Sequence, residues 1–232
     1  MNAARRPTRR RAPLIAVAGL LLAAGIYAAT LRGVADAEYT SARLQVGLPY
    51  PGIIVPPPKP QAVQAAQLAL REALRLDPGN PHYVEQYARV QEMKALALDR
   101  ADPAARQALR QAAAAFRLAA RQRPGSPYVW ADLARVKLRM DEMDFEFYGA
   151  LDRANRLGPW EPAVQTGTVD MGLSAWRYLA VPAQEWVVAA MDRALLRDHH
   201  EIQRIATAYK SLALVCARPG LPARVTEFCV KK

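Results

Sequence analysis

The sequence predicts an all-α protein in which an N-terminal transmembrane helix precedes a tetratricopeptide-like helical-repeat domain. Three observations lead to this fold class: a 19-residue uncharged run near the N-terminus, apolar residues at helical spacing, and prolines that punctuate the rest of the chain. The 232 residues are 52% hydrophobic but only 7% aromatic. That composition favours helices over a β-sandwich and excludes disorder along most of the chain.

The uncharged run covers residues 13–31. Its length suits a membrane-spanning helix, because each residue adds roughly 1.5 Å and the bilayer core is roughly 30 Å thick. Five arginines precede the run and Arg32 alone follows it. The positive-inside rule therefore predicts a cytoplasmic basic tail over residues 1–12 and export of everything after the run. The small-x-small sequence Ala35-Asp36-Ala37 leaves open a cleaved signal peptide, which exports the same domain.

A proline-rich linker is predicted over residues 32–60, since residues 49–60 contain six of the 18 prolines. Such a stretch favours extended backbone that acts as a semi-rigid spacer. The net charge of +11 includes six arginines from residues 1–32, which contain no acidic residue, so residues 33–232 carry only +5. A nucleic-acid-binding protein concentrates its positive charge on the folded domain, so no nucleic-acid partner is expected.

Residues 61–232 form the predicted periplasmic repeat domain. Helix starts are marked by proline, whose missing N–H costs nothing at the first helical position. These prolines are Pro81, Pro103, Pro127, Pro162 and Pro182. Asn80, Asp102 and Ser126 precede three of them and are suited to cap the helix. This punctuation predicts roughly eight helices with short connections.

Three stretches repeat the same order of bulky and small residues before a proline. They are Ala66, Leu70, Ala73 and Pro78; Ala112, Phe116, Ala119 and Pro124; and Phe147, Leu151, Ala154 and Pro159. The prolines are 46 and 35 residues apart, whereas tetratricopeptide repeats recur at about 34 residues. Trp130, Leu133 and Ala134 match the W-x-x-L-G signature with Ala for Gly. We predict two or three divergent repeats and a helical C-terminal extension, with an irregular helical bundle as the alternative.

The first helices of stacked pairs line a concave face, which is the predicted binding surface. The side chains expected to point into it are His82, Glu85, Arg89, Tyr128, Arg135 and Arg139. Three arginines beside a tyrosine suit an anionic peptide terminus or an acidic glycan, because guanidinium binds carboxylate in bidentate fashion. The alternative is that these residues form an ordinary solvated helix face.

Patterns for catalysis or metal binding are absent from the sequence. The three histidines and two cysteines lack metal-ligand spacing, and there is no glycine-rich phosphate loop or nucleophile elbow. We therefore expect no metal, no cofactor and no enzymatic activity. The acidic residues Asp141, Glu142, Asp144 and Glu146 are interpreted as a helix start, where carboxylates are favoured. A glycosidase pair is the alternative interpretation.

Cys216 and Cys229 are predicted to form a disulfide, because export places them in an oxidising compartment. A loop of this size stabilises the fold by roughly 3 kcal/mol in the chain-entropy model. A redox-active pair is the alternative, although no C-x-x-C motif is present.

The segment Arg153–Trp176, together with the spaced cysteines, resembles the VpsP-like proteins of bacterial exopolysaccharide gene clusters; Leu157 to Pro162, LGPWEP, is its most specific part. The resemblance implies an accessory role in making or exporting polysaccharide, with no catalytic residues to carry over. The expected protein is a single-pass protein of the bacterial inner membrane whose partners are other envelope proteins, namely polysaccharide synthesis or export components. An adaptor of cytochrome maturation, cell division or outer-membrane assembly, and a glycan-acting enzyme, are the alternatives.

Overall fold

The computed structural model describes residues 11–47, 58–218 and Cys229, and these residues contain helices without a β-strand. The helices are α1 (Arg11–Val46), α2 (Pro60–Leu76), α3 (Pro81–Leu96), α4 (Pro103–Gln122), α5 (Pro127–Arg139), α6 (Phe145–Leu157), α7 (Pro162–Ser174), α8 (Val181–Arg197), α9 (His199–Ala208) and α10 (Leu212–Cys216), with a short 3-10 helix at Trp176–Tyr178. The predicted fold class, an apolar N-terminal helix followed by a helical-repeat domain, is confirmed.

Helix α1 contains a stretch that is long and apolar enough to cross a membrane, and the side chains of residues 13–30 are all exposed. The helix continues to Val46, so residues 32–46 of the predicted linker are helical. Ala35, Ala42 and Val46 are buried and Tyr39 is partly buried, which gives an apolar stripe at steps of four, three and four residues. This stripe packs on α2, which explains the continuation. Residues 48–57 of the predicted linker lie outside the described residues.

The helices pack as successive antiparallel pairs: α1 with α2, α3 with α4, α5 with α6, and α7 with α8. Ala35 clusters with Ala73, and Val46 clusters with Val63. The second half of α1 is therefore antiparallel to α2 and is the first helix of the first pair. The helix that contains the apolar stretch therefore belongs to the repeat array itself.

The second helix of every pair ends in the same way. All nine bulky and small residues of the three repeated stretches that precede the prolines are fully buried. The backbone N–H groups of Asp77, Arg123 and Gly158 each donate to the carbonyl of an alanine four residues earlier, and Asp198 at the end of α8 does the same. This fourth repeat was not predicted, because His199 stands where the other three have proline.

The first helix of the α7–α8 pair repeats a contact that α5 makes. Trp130 Nε1 donates to the Pro124 carbonyl at 2.8 Å, and Gln165 Nε2 donates to the Pro159 carbonyl at 2.8 Å. Both donors lie six residues after the proline. Gln165 thus makes the same hydrogen bond as Trp130 with a smaller side chain. A search for tryptophan at this position does not detect it.

Two of the three predicted helix caps and the predicted disulfide are present in the structure. Asn80 and Asp102 accept hydrogen bonds from the starts of α3 and α4, whereas Ser126 makes no such bond at the start of α5. Cys216 and Cys229 form a disulfide with their Cα atoms 5.6 Å apart. The extra residues of the first interval lie mostly in longer helices, since α3 and α4 have 16 and 20 residues while α5 and α6 have 13 each.

Close packing of α7 on α8 gives a test of the fold that uses two glycines of one helix. A Cβ at Gly172 would lie 2.2 Å from Val187 Cγ2, whereas a Cβ at Gly167 would have no atom within 4 Å. Gly172→Ala should therefore destabilise the protein by about 1–3 kcal/mol. Gly167→Ala should stabilise it by about 0.5–1 kcal/mol through helix propensity. Denaturant unfolding of the full chain in detergent, monitored by circular dichroism, measures the stability change of both variants. Equal changes would contradict the close packing of α7 on α8.

Candidate functional site

A cleft of about 990 Å³ lies at the ends of α3, α5 and α7 that are farthest from the apolar half of α1. Its floor and sides include the apolar residues Leu109, Leu138, Met140, Met143 and Met171. Methionine is flexible and polarisable, so such a floor adapts to different apolar side chains. The volume falls in the range of about 300–1,000 Å³ found for ligand sites.

The cleft exists because neighbouring pairs differ in length. Helices α3 and α4 extend beyond the shorter α5 and α6, so Leu96 and Leu98 form one wall. The opposite wall comes from the end of α7 and from Tyr178 and Tyr209. The Tyr209 hydroxyl donates to Asp170 at 3.1 Å. Burial and the Asp170 carboxylate raise the pKa of Tyr209, which keeps this donor protonated.

An ion-pair ladder joins α3 to α5 along the concave face. Arg89 bridges Glu85 at 2.8 Å and Asp132 at 3.0 Å. Arg135 bridges Asp132 at 2.7 Å and Glu92 at 2.8 Å. Arg139 also reaches Glu92 at 2.8 Å, and Arg123 at the end of α4 reaches Glu85 at 3.0 Å. We call these seven residues the α3–α5 ladder.

The ion pairs of the ladder favour the charged forms of Asp132 and Arg135. Burial alone disfavours ionised Asp132, which is only 6% exposed, but Arg135 and Arg89 lower the pKa of its carboxyl. Burial likewise opposes charge on Arg135, yet Asp132 and Glu92 raise the pKa of its guanidinium. The buried carboxylates require these cations, since an isolated buried charge costs far more than a paired one.

The six predicted binding residues divide into two groups. Glu85, Arg89, Arg135 and Arg139 come together in the ladder, and of the six only Arg135 and Arg139 line the cleft. His82 lies beside Arg123, and the Tyr128 hydroxyl donates to Glu161, both at the other ends of their helices. An anionic ligand would have to displace carboxylates from the arginines, so the binding role of this set stays a prediction.

The predicted acidic cluster surrounds a buried lysine at the start of α6. Lys137, 2% exposed, has its Nζ 2.5 Å from Glu142, 2.7 Å from Asp144 and 3.3 Å from Glu146. Burial opposes its charge, but the hydrogen bonds that it donates to these carboxylates raise the pKa of Lys137. Asp144 also accepts from the backbone N–H groups of Glu146 and Phe147, as predicted for a helix start.

The remaining carboxylate of the acidic cluster, Asp141, pairs with Arg100 across the cleft rim. All four carboxylates of the cluster are thus held by cations of the fold. In the described part of the chain, no group of three or more His, Cys, Asp or Glu residues is arranged to hold a metal ion.

Apart from Arg135 and Arg139, sequence reasoning missed the residues that form the cleft. Leu98, Met143 and Tyr178 come from three separate connections, and Tyr209 comes from the end of α9. No periodic pattern links these positions. Trp160 in the LGPWEP segment lies exposed at the surface.

A scan against protein-family models, a search of curated proteins and a search of solved structures each find no match to this chain. Function is therefore inferred from the cleft, the ion pairs and the apolar helix.

The ladder predicts an acid-dependent loss of stability. Because the pKa of Asp132 is lowered in the folded protein, its contribution is present above the unfolded carboxyl pKa of about 3.9 and is lost as the pH falls. Asp132→Asn should cost about 1–3 kcal/mol at pH 7, because two guanidinium groups lose their shared carboxylate. The cost should shrink toward pH 3, as measured by thermal unfolding at both pH values.

Asp152→Asn is the matched control, because Asp152 pairs with the exposed Arg156 within one helix turn. We expect it to change stability by no more than about 0.5 kcal/mol. An Asp132→Asn cost that is independent of pH would contradict the role assigned to the ladder.

Proposed function

We propose that the protein is a non-catalytic, membrane-anchored adaptor whose cleft binds an extended segment of a partner protein. The observation that carries this proposal is an open cleft with an apolar, methionine-containing floor in a helical-repeat array. Helical-repeat arrays bind extended ligands on their concave surfaces.

The charged groups at the cleft support binding over catalysis. Asp141 is paired with Arg100, Glu142 with Lys137, and Asp170 accepts from Tyr209. General acid–base work on a glycan needs two carboxylates that converge on a substrate with separated pKa values. The carboxylates here are instead used to hold cations and a hydroxyl, which favours the adaptor over a glycan-acting enzyme.

The compartment is part of the same proposal. The arginine-rich flank before the apolar stretch favours a cytoplasmic N-terminus and an exported domain. A disulfide between Cys216 and Cys229 is consistent with an oxidising compartment such as the bacterial periplasm. The resemblance to VpsP-like proteins then suggests exopolysaccharide synthesis or export components as partners, with other envelope machines as the alternative.

Site-specific photo-crosslinking tests the cleft as the binding surface. Benzoylphenylalanine at Tyr178 on the cleft wall should form an adduct with an envelope protein, whereas the same group at Leu118 should not. Leu118 is a fair control because it is also exposed but points away from the cleft, half a helical turn out of phase with Leu109 of α4.

Leu98→Glu provides the second arm of this experiment. It places a charge in the apolar wall, and losing one such contact is worth about 1.5–3 kcal/mol, so the adduct at Tyr178 should fall about tenfold or more. Equal adducts at Tyr178 and Leu118, or an adduct that Leu98→Glu leaves unchanged, would contradict the proposal.

Reporter fusions test the orientation. Alkaline phosphatase fused after Lys232 should be active, because it requires export, and a green fluorescent protein at the same position should be dark. The reverse pair fused before Met1 is the control. Phosphatase activity at the N-terminal fusion and none at the C-terminal fusion would place the domain in the cytosol.

A further inference from the structure

One edge of the repeat array lies close to the end of the apolar half of α1. The helices alternate in direction, so the turns that follow α2, α4 and α6, and the junction after α8, all lie at the end of the array nearest to Leu31. We call this the anchor-side edge; it comprises residues 75–82, 121–128, 156–162 and 196–200. The opposite turns, which carry the cleft, form the distal edge.

One hydrogen bond indicates how far the anchor-side edge lies beyond Leu31 along the axis of α1. The Tyr83 hydroxyl donates to the Asp36 carboxylate, which fixes α3 beside α1. Asp36 lies roughly 7.5 Å beyond Leu31 along the helix axis, and Tyr83 lies roughly 3 Å after the start of α3. With Asp36 and Tyr83 taken as level and α1 taken as perpendicular to the membrane, the start of α3 is roughly 4–5 Å beyond Leu31. Headgroup layers are roughly 5–8 Å thick on each side of the bilayer core, so this start falls within one.

A continuous set of contacts links the start of α3 with the rest of the edge. Arg123 at the end of α4 contacts Glu85 near the start of α3. The turn at Gly158 packs on Pro127, since a Cβ at Gly158 would lie 2.7 Å from Pro127 Cβ. Arg197 at the end of α8 then reaches the Pro162 carbonyl at 3.4 Å. These contacts hold the four turns side by side.

Large apolar side chains are exposed on this edge. Trp160 is 74% exposed, and Leu157 and Leu196 are exposed in the neighbouring helix ends. Arg193 lies over the Trp160 ring at 5.8 Å. Tryptophan beside arginine is typical of side chains at the level of lipid headgroups, where the ring is half in the apolar layer and the guanidinium meets phosphate.

The anchor-side edge also carries exposed arginines. The last turns of α2, α4, α6 and α8 each contain an exposed arginine: Arg75, Arg121, Arg156 and Arg197. Glu72 and Asp152 pair with the first and third of these. Among the described residues, Arg121 and Arg197 make no ion pair with a carboxylate. Favourable interaction with the helix dipole accounts for arginines at helix ends, but it does not account for an exposed tryptophan and two leucines beside them.

We propose that the anchor-side edge rests on the headgroup layer of the bilayer that α1 spans, with Trp160 inserted among the lipids and the arginines at anionic phosphates. This inference rests on the proposed membrane anchoring by α1. The domain then stands in one fixed orientation, with the cleft on the distal edge directed away from the lipid. The ligand class is an anionic phospholipid surface.

Fluorescence quenching by brominated lipid tests the contact. The full chain is reconstituted into nanodiscs of brominated phosphatidylcholine with phosphatidylglycerol, and into matched unbrominated discs. The other three tryptophans are only partly exposed. If Trp160 is inserted, Trp160→Phe should remove at least about half of the fractional quenching.

A tryptophan at Tyr178 is the matched control. Tyr178 is 75% exposed but lies on the distal edge, so Tyr178→Trp in the Trp160→Phe background should not restore quenching. A charge reversal at each end of α4 provides a second pair. Arg121→Glu should reduce the dependence of quenching on phosphatidylglycerol, whereas Arg106→Glu, exposed at the distal end, should not.

The outcomes separate the two proposals. A chain that does not co-elute with the discs would overturn the membrane anchor and this inference with it. A chain that co-elutes but shows equal quenching with and without Trp160, or restored quenching by Tyr178→Trp, would overturn only the lipid contact. In that case the exposed edge would belong to a protein partner.

Discussion

Docking of residues 32–46 of α1 against α2 and α3 is the contact on which the position of every later helix depends. Ala35 and Ala42 are completely buried there, and their small side chains allow the helix axes to approach closely. Tyr39 and Tyr83 stack with ring centroids 5.2 Å apart beside the Asp36 hydrogen bond. The same helix continues without a break into the apolar stretch, so continuous helix joins that stretch to the first helix pair.

From that first pair, one repeated geometry builds the rest of the array. Each second helix ends with a hydrogen bond to an alanine carbonyl, and in the turns after α4 and α6 the proline carbonyl accepts a hydrogen bond from the next helix. These bonds give partners to backbone carbonyls that the end of a helix would otherwise leave to solvent. Alanines buried at the interfaces allow neighbouring helices to approach closely.

Charge pairing decides which part of the concave face is open. Glu92 and Asp132 are nearly buried, and a buried carboxylate is tolerated only beside cations, so the ladder closes the seam between α3 and α5. Lys137, in the last turn of α5, likewise pairs with a carboxylate at the start of α6. The open volume that remains lies at the distal ends, where the longer α3–α4 pair overhangs its neighbour. In the proposed orientation that opening faces away from the membrane.

The sequence by itself determined the helical class, the apolar anchor stretch, the buried Ala-Leu-Ala and Ala-Phe-Ala positions, and the disulfide partners. These depend on local periodicity and on residue type, which a single chain displays directly. Tertiary structure alone decided that α1 extends into the array, that Gln165 and His199 occupy repeat positions, and that the predicted groove arginines are paired. It also decided where the cleft opens, because ion-pair partners such as Arg135 and Glu92 are 43 residues apart in sequence and meet only when helix pairs stack.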